Sequence, residues 1–247
     1  QDIRFAEQRG GNLKIWIAPD NCLPPAAAGT GGKSFAPVAN RFCGFLDIGG
    51  RTHAADYSVL TIIDRLPMLE GKPVELAARW RGHTDQDMLA WLAAMVCKWY
   101  ENALLGVEVN SLHIKGEPDH SYTILDEIAE HYDNLFHRST VEDIMNRIPK
   151  KYGFHTNKAS KEMILDRLNA ALRDTAYIER DAEAINEFNC FEEKPDGGKG
   201  AVEGAHDDIV ISAAGAVWLA TSYMEPVKKI TTTGKTYTRN TYNEATF

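Results

Sequence analysis

Apolar residues along this chain recur with two different spacings, and the change between them marks its elements. Residues 42–48 and 57–64 are short apolar runs, the second rich in Val, Ile and Thr. The Gly-containing segment between them predicts an antiparallel hairpin with a longer loop. Residues 75–80 predict a third strand, and 104–109 (Leu-Leu-Gly-Val-Glu-Val) a buried fourth. Helical spacing takes over at 84–100, where Thr84 is placed to cap and Met88, Trp91, Leu92, Met95 and Trp99 share a face. That spacing recurs at Leu125, Ile128, Ala129 and Tyr132, again at Ile164, Leu168, Ala171 and Leu172, and in a last helix from 206 to about 220. Three early strands followed by alternating helix and strand predict an α/β fold, a mixed sheet with helices on its faces.

The ends follow neither spacing. Leu13, Ile15 and Ile17 alternate as one strand would, but 22–37 is rich in Pro, Gly and Ala, so residues 1–39 read as a linker or hairpin arm ahead of a core at 40–222. Residues 223–247 read as a polar tail, loosely held from Lys228 onward. No internal repeat is visible. The 247 residues are 44% hydrophobic, enough for a real core. The chain opens at Gln1 rather than Met, which reads as a processed or excised product. No apolar run approaches the ~20 residues of a membrane span, and no signal-peptide pattern opens the chain. Cys22, Cys43, Cys97 and Cys190 form no C-x-x-C pair, which argues against a zinc site or disulfide framework and for a reducing compartment. A formal net charge of −8 argues against a broadly basic nucleic-acid surface. It does not exclude a nuclease, because acids gathered in a metal site contribute to it and bound ions reverse the local sign.

Three segments place carboxylates where apolar neighbours predict burial: Asp47, ending the run 42–48 just before Gly49-Gly50; Glu108, between Val107 and Val109; and Asp207-Asp208, opening an apolar helix. A buried carboxylate is costly without a cation. Each has an ordinary alternative: a turn residue for Asp47 and Asp56, an edge-strand surface position for Glu108, a helix cap for one of Asp207 and Asp208. Two adjacent acids exceed what capping requires. Acids converging on one sheet end would crowd like charges and raise their pKa values unless cations sit among them, and oxygen ligands suit Mg²⁺ or Mn²⁺ rather than zinc. Paired hard ions about 3.5–4 Å apart serve phosphodiester cleavage. The Gly pair reads as room for a phosphate backbone to approach. His206 adjoins the acid pair as a substrate contact or an idle helix-start residue; His113, His120, His131 and His155 read as surface. Trp91 and Trp99 read as core, and Lys158 and Lys161 as phosphate contacts or solvated helix charges.

Taken in order, these pieces resemble the C-terminal nuclease domain of the large terminase subunit of tailed bacteriophages. The resemblance rests on Asp47 with Gly49-Gly50, Asp56-Tyr57-Ser58-Val59, Glu108-Val109-Asn110, Thr156-Asn157-Lys158 and His206-Asp207-Asp208-Ile209-Val210, with a similar lead-in at Asn12-Leu13-Lys14-Ile15-Trp16. It covers roughly residues 10–222. It implies an RNase H-like fold, here a five-stranded mixed sheet of three antiparallel strands followed by parallel ones. It also implies a metal-dependent endonuclease cutting concatemeric viral DNA with two divalent ions, Mg²⁺ or Mn²⁺. Carried over by position, Asp47, Glu108 and Asp208 are the catalytic metal-binding acids, Asp56 a further acidic member, and Asp207 a cap or outer partner. Lys158, Lys161 and His206 would contact DNA. The implied partners are double-stranded DNA, the terminase ATPase domain, the small terminase subunit and the portal protein, in the cytoplasm of the bacterial host and without a membrane. Two departures stand out: the loop Arg51-Thr52-His53-Ala54-Ala55 is not Gly-rich, and Ser111-Leu112-His113 leads into an apparent insertion. Gly29-Thr30-Gly31-Gly32-Lys33-Ser34 lacks the spacing of a phosphate-cradling loop, which leaves the motor to another part of the polypeptide.

Three other readings compete. An RNase H-like junction resolvase or integrase would share the acids. Asp47-Ile48-Gly49-Gly50-Arg51-Thr52-His53 resembles the first phosphate strand of actin-like sugar kinases, without their second loop. A non-catalytic docking module of a packaging machine would use the acids only as caps and turns.

Overall fold

The computed structural model describes residues 8–19, 38–49, 56–109, 120–138, 152–194 and 197–230. Its centre is a sheet of β1 (Leu13–Ile15), β3 (Phe42–Asp47), β4 (Ser58–Asp64), β5 (Val74–Gly82), β6 (Leu104–Val109), β7 (Phe154–His155) and β8 (Tyr177–Ile178). The order is β1-β5-β4-β3-β6-β7, with β8 also on β5. β3, β4 and β5 are antiparallel neighbours, while β6 runs parallel to β3 and β7 parallel to β6. This is the expected mixed sheet, and β3 to β7 supply its five strands. The two further strands, β1 and β8, share the outer edge of β5. The strand at Leu13–Ile15, read from sequence as part of an arm, therefore lies on the sheet. The hairpin joining β3 and β4 is present, with its loop 50–55 outside the described residues, as are the Gly-Lys-Ser segment 29–34 and the tail 231–247. A small ribbon pairs β2 (Val38–Ala39) with β11 (Lys228–Lys229), and a second pairs β9 (Phe191–Glu193) with β10 (Lys199–Ala201).

Alternation along each strand splits the core in two. Leu46, Leu60, Ile62, Ala78, Leu105, Val107 and Val109 point to the face covered by α1 (Gln86–Trp99) and α2 (His120–His131). Cys43, Phe45, Ile63 and Leu76 point to the other, where α3 (Lys158–Arg173) and α5 (Asp208–Trp218) lie. The short helix α4 (Ala182–Asn189) packs at the start of α5, with Ala184 against Ile209 and Val59.

The predicted apolar face of α1 is corrected. The residues against the sheet are Leu89, Ala90, Ala93, Ala94, Val96 and Cys97, whereas Met88 is exposed and Trp91 and Met95 are only half-buried. Small side chains let the helix sit close, and the large ones are displaced to the rim. Trp91 stacks on His131 there, with ring centroids 4.3 Å apart, and Trp99 packs against the core as read from sequence. Leu172 of α3 is likewise exposed, its place taken by Leu165. The cap of α1 falls at Asp85, one residue past Thr84.

Helix α5 carries Ile209, Val210, Ile211, Ala213, Ala214 and Val217 buried, so it has almost no solvent face. Ser212 is its one buried hydroxyl, within hydrogen-bond distance of the Phe45 carbonyl (2.9 Å), the Val59 carbonyl (3.1 Å) and Thr61 Oγ1 (2.9 Å). That contact pins the helix across β3 and β4. Beyond it, the helix continues as a π-turn over Leu219–Tyr223, where the buried Arg65 guanidinium donates to the carbonyls of Ala220 (2.7 Å) and Glu225 (3.0 Å). Gly215 permits the close approach: a Cβ there would meet the Phe45 ring at 2.5 Å. Gly215→Ala should therefore lower the unfolding free energy by about 1–3 kcal/mol through overpacking, read as a reduced denaturant midpoint at unchanged slope. An unchanged midpoint would show that the helix is free to shift.

Candidate functional site

Two registers bring the first acids together. Asp47 closes β3 on the same face as Phe45, and the pairing Leu46 with Val107 sets Glu108 beside it on β6. Glu108 is on the face opposite Val107 and Val109, so both carboxylates look toward α5. Glu108 is buried and Asp47 half-buried. Burial, then the neighbouring Glu108, and then Asp208 and Asp207 hold the Asp47 carboxyl well above the usual carboxylate range.

Asp208 comes from the far end of the sequence. It is the first residue of α5, one helical turn before Ser212, so the contact that pins Ser212 to the sheet also turns Asp208 toward it. It is buried, and its Oδ2 accepts the Tyr57 backbone N–H at 3.1 Å. Burial raises its pKa; the Tyr57 N–H and His206 pull it down, while Asp56 and Asp207 push it up. Glu108 lies beside Asp47 by register, and Asp208 is near enough to raise its pKa. The likeness ends there for Gly49. A Cβ on that residue would strike the Asp56 carbonyl at 2.3 Å, so what approaches it is this chain's own backbone and not a phosphate. That approach carries the start of β4 back over the end of β3 and places Asp56 near the other acids. The Gly49 N–H seals it by donating to Ser58 Oγ at 3.0 Å.

Asp56 itself is exposed and forms a group with His206 and Asp208 whose ligand atoms all lie within 4.8 Å of one another. His206 Nδ1 is 3.9 Å from Asp56 and 3.7 Å from Asp208. Asp207 takes the N-cap position of α5 but makes no side-chain cap bond; its carboxylate faces Lys161 Nζ at 3.6 Å. Lys161 thus meets an acid at the site's edge. Lys158 opens α3 behind a capping box formed by Asn157 and Ser160, and its ammonium lies near the β9–β10 turn, 4.0 Å from where a Gly197 Cβ would be. Of the histidines read as surface, His131 is engaged by Trp91, and His113 and the His120 side chain fall outside the described residues.

Three neighbours of the site escaped the sequence reading. Glu187, buried on α4, accepts the Ile209 N–H at 2.9 Å and is paired with Arg81 at 2.9 Å. The Arg81 guanidinium lies over the Tyr57 ring at 4.1 Å, and that ring also stacks on His83. An acid on the inner face of a short helix, between Ala184 and Phe188, was the available signal.

The arrangement has solved counterparts. The large terminase nuclease of thermophilic phage G20c, solved with bound magnesium, superposes with a TM-score of 0.56 at 18% identity, over 85% of this chain and 88% of that one. Its cobalt-bound form gives 0.55 at 16%, over 85% and 88%. The nuclease domain of the Thermus phage P74-26 large terminase gives 0.52 at 16%, over 86% of this chain and 87% of that one. The fold is that of a large-terminase nuclease. No protein-family model matches the sequence, and no curated protein does. At these identities the likeness is one of backbone, and the chemistry must come from the side chains described above.

The crowded acids have a measurable cost. Without metal, the Asp47 carboxyl binds its proton more tightly in the folded chain than in the unfolded one. Stability therefore falls as pH rises from the ordinary carboxylate range toward the raised value, and the loss is complete above it. Asp47→Asn removes the penalty. In chelator it should melt above the wild type at about pH 7–8, with the gap closing toward about pH 4. A wild type that melts equally high at neutral pH would contradict the crowding.

Proposed function

We propose that this chain is a metal-dependent endonuclease that cuts double-stranded concatemeric viral DNA during genome packaging. The carrying observation is the convergence of Asp47 and Glu108, side by side on parallel strands, with Asp208 at the start of α5, at the end of a sheet with a terminase-nuclease fold. The donor set fits hard divalent ions: all three acids offer oxygen, and a cation among them would relieve the repulsion that raises Asp47. Asp47, Glu108 and Asp208 would hold two ions, Mg²⁺ or Mn²⁺, with Asp56 and His206 completing the outer side and Asp207 supporting it. Bound there, the ions would supply activation of water and neutralisation of the leaving oxygen. The G20c nuclease binds magnesium and cobalt, in keeping with this choice.

The protein's own groups do the positioning. The Tyr57 N–H orients Asp208, and the exposed His206 and Asp56 form the open lip through which a phosphate would enter. Lys158, Lys161 and His206 would meet the DNA backbone. Lys161 would exchange its contact with Asp207 for a phosphate, which keeps its charge beside the acids until DNA arrives. In this reading the chain works in the cytoplasm of the bacterial host beside the terminase ATPase domain, the small terminase subunit and the portal. Among the described residues no helix is long and apolar enough to cross a membrane.

Supercoiled plasmid in Mn²⁺ should be nicked without sequence preference, and Asp47→Asn and Asp208→Asn should each slow nicking on the order of 100-fold. Both variants cutting at the wild-type rate would sink the assignment. DNA binding measured against salt supplies a separate check. Lys158→Ala and Lys161→Ala should each weaken it across all sequences and reduce the salt slope by about one. Unchanged slopes would remove these lysines from the interface.

A further inference from the structure

A network of contacts grips Asp208 from both sides. On one side its carboxylate accepts the Tyr57 backbone N–H at 3.1 Å. On the other, the next residue in the helix, Ile209, donates its N–H to Glu187 Oε2 at 2.9 Å. Arg81 joins the two arms: it is paired with Glu187 Oε1 at 2.9 Å, and its guanidinium covers the Tyr57 ring at 4.1 Å. The pieces come from the start of β4 and from β5, α4 and α5, and β4 and β5 are ladder neighbours here, with Val59 opposite Arg81. Tyr57, Phe188, Val59, Ala184 and Ile209 form a small apolar cluster beneath them, separate from both main cores. Glu187 is buried, with its pKa raised by desolvation despite the adjacent guanidinium. A buried ion pair of this kind contributes little to stability over an apolar pair, so its value is more readily found in geometry.

We propose that Arg81 and Glu187 are positioning residues that fix the carboxylate of Asp208 for divalent metal binding. This rests on the reading of Asp208 as a metal ligand. Glu187 fixes the first turn of α5, Arg81 fixes the Tyr57 segment against it, and the Asp208 carboxylate is held on the Tyr57 N–H. Charge and positioning make opposite demands at Arg81. Removing a cation near an acidic centre should tighten cation binding if only the Coulomb interaction matters. Removing half of a positioning bracket should weaken it, because the ligand must then be ordered at the moment of binding.

The test is Mn²⁺ titration by calorimetry on wild type, Arg81→Ala, Tyr57→Leu and Asp208→Asn, with melting of each in chelator. Tyr57→Leu keeps the backbone donor, carries no charge change, and serves if Arg81→Ala fails to fold. Arg81→Ala and Tyr57→Leu should weaken Mn²⁺ binding about tenfold. Wild-type or tighter affinity in the folded variants overturns the inference, as does a lowered melting temperature with unchanged affinity, which marks a purely structural pair. If Asp208→Asn loses Mn²⁺ while the bracket variants keep it, this inference falls alone. If the wild type binds no Mn²⁺, the nuclease reading falls with it.

Discussion

Asp47 and Glu108 are held in contact at the carboxyl ends of two parallel strands, with Asp208 pressed in from a helix above. Ionised together and out of water, these groups repel, and isolated buried carboxylates are expensive. Burial and the neighbouring acids hold the Asp47 carboxyl well above the usual carboxylate range, and one backbone donor meets Asp208. Much of the rest of the fold acts to keep the three from relaxing apart. The close seat of α5 on β3, which glycine at 215 permits, and the Ser212 hydroxyl lodged over two strands fix the helix to within a side chain's reach of the sheet.

The same constraint explains the unusual character of α5. A helix exposed on one side could tilt away from like charges at its start. This one is buried along nearly its whole length, with its far end tied by Arg65, so it cannot. Packing supplies the rigidity, and electrostatics uses it. The exposed lip is built differently: Asp56 and His206 are solvated, and Asp207 is loosely paired with Lys161 of α3.

Much of this was legible from order and spacing. The runs ending in Asp47 and containing Glu108 read as strands because Val, Ile, Leu and Phe surround the acids, and the acids stood out because strands seldom carry them. Adjacency of β3 and β6 then set them side by side. The face of α1 was less legible: large apolar residues dominate a helical projection, but the sheet selected Ala90, Ala93 and Ala94 because small side chains permit a shorter interaxial distance. The role of Gly49 was misread for a related reason, since a sequence shows that room is left beside a glycine and not what fills it.

The sequence by itself determined the class of fold, the identity of the acids and their order, because local patterning is written in residue type and period. Only the tertiary structure decided which of two adjacent aspartates turns inward, and that choice came from the anchoring of Ser212 one turn later. It also decided that Asp207 faces Lys161, and that Arg81 and Glu187 belong to the site at all. These are contacts between residues far apart in the sequence, set by how helices seat on a sheet, and no local pattern encodes them.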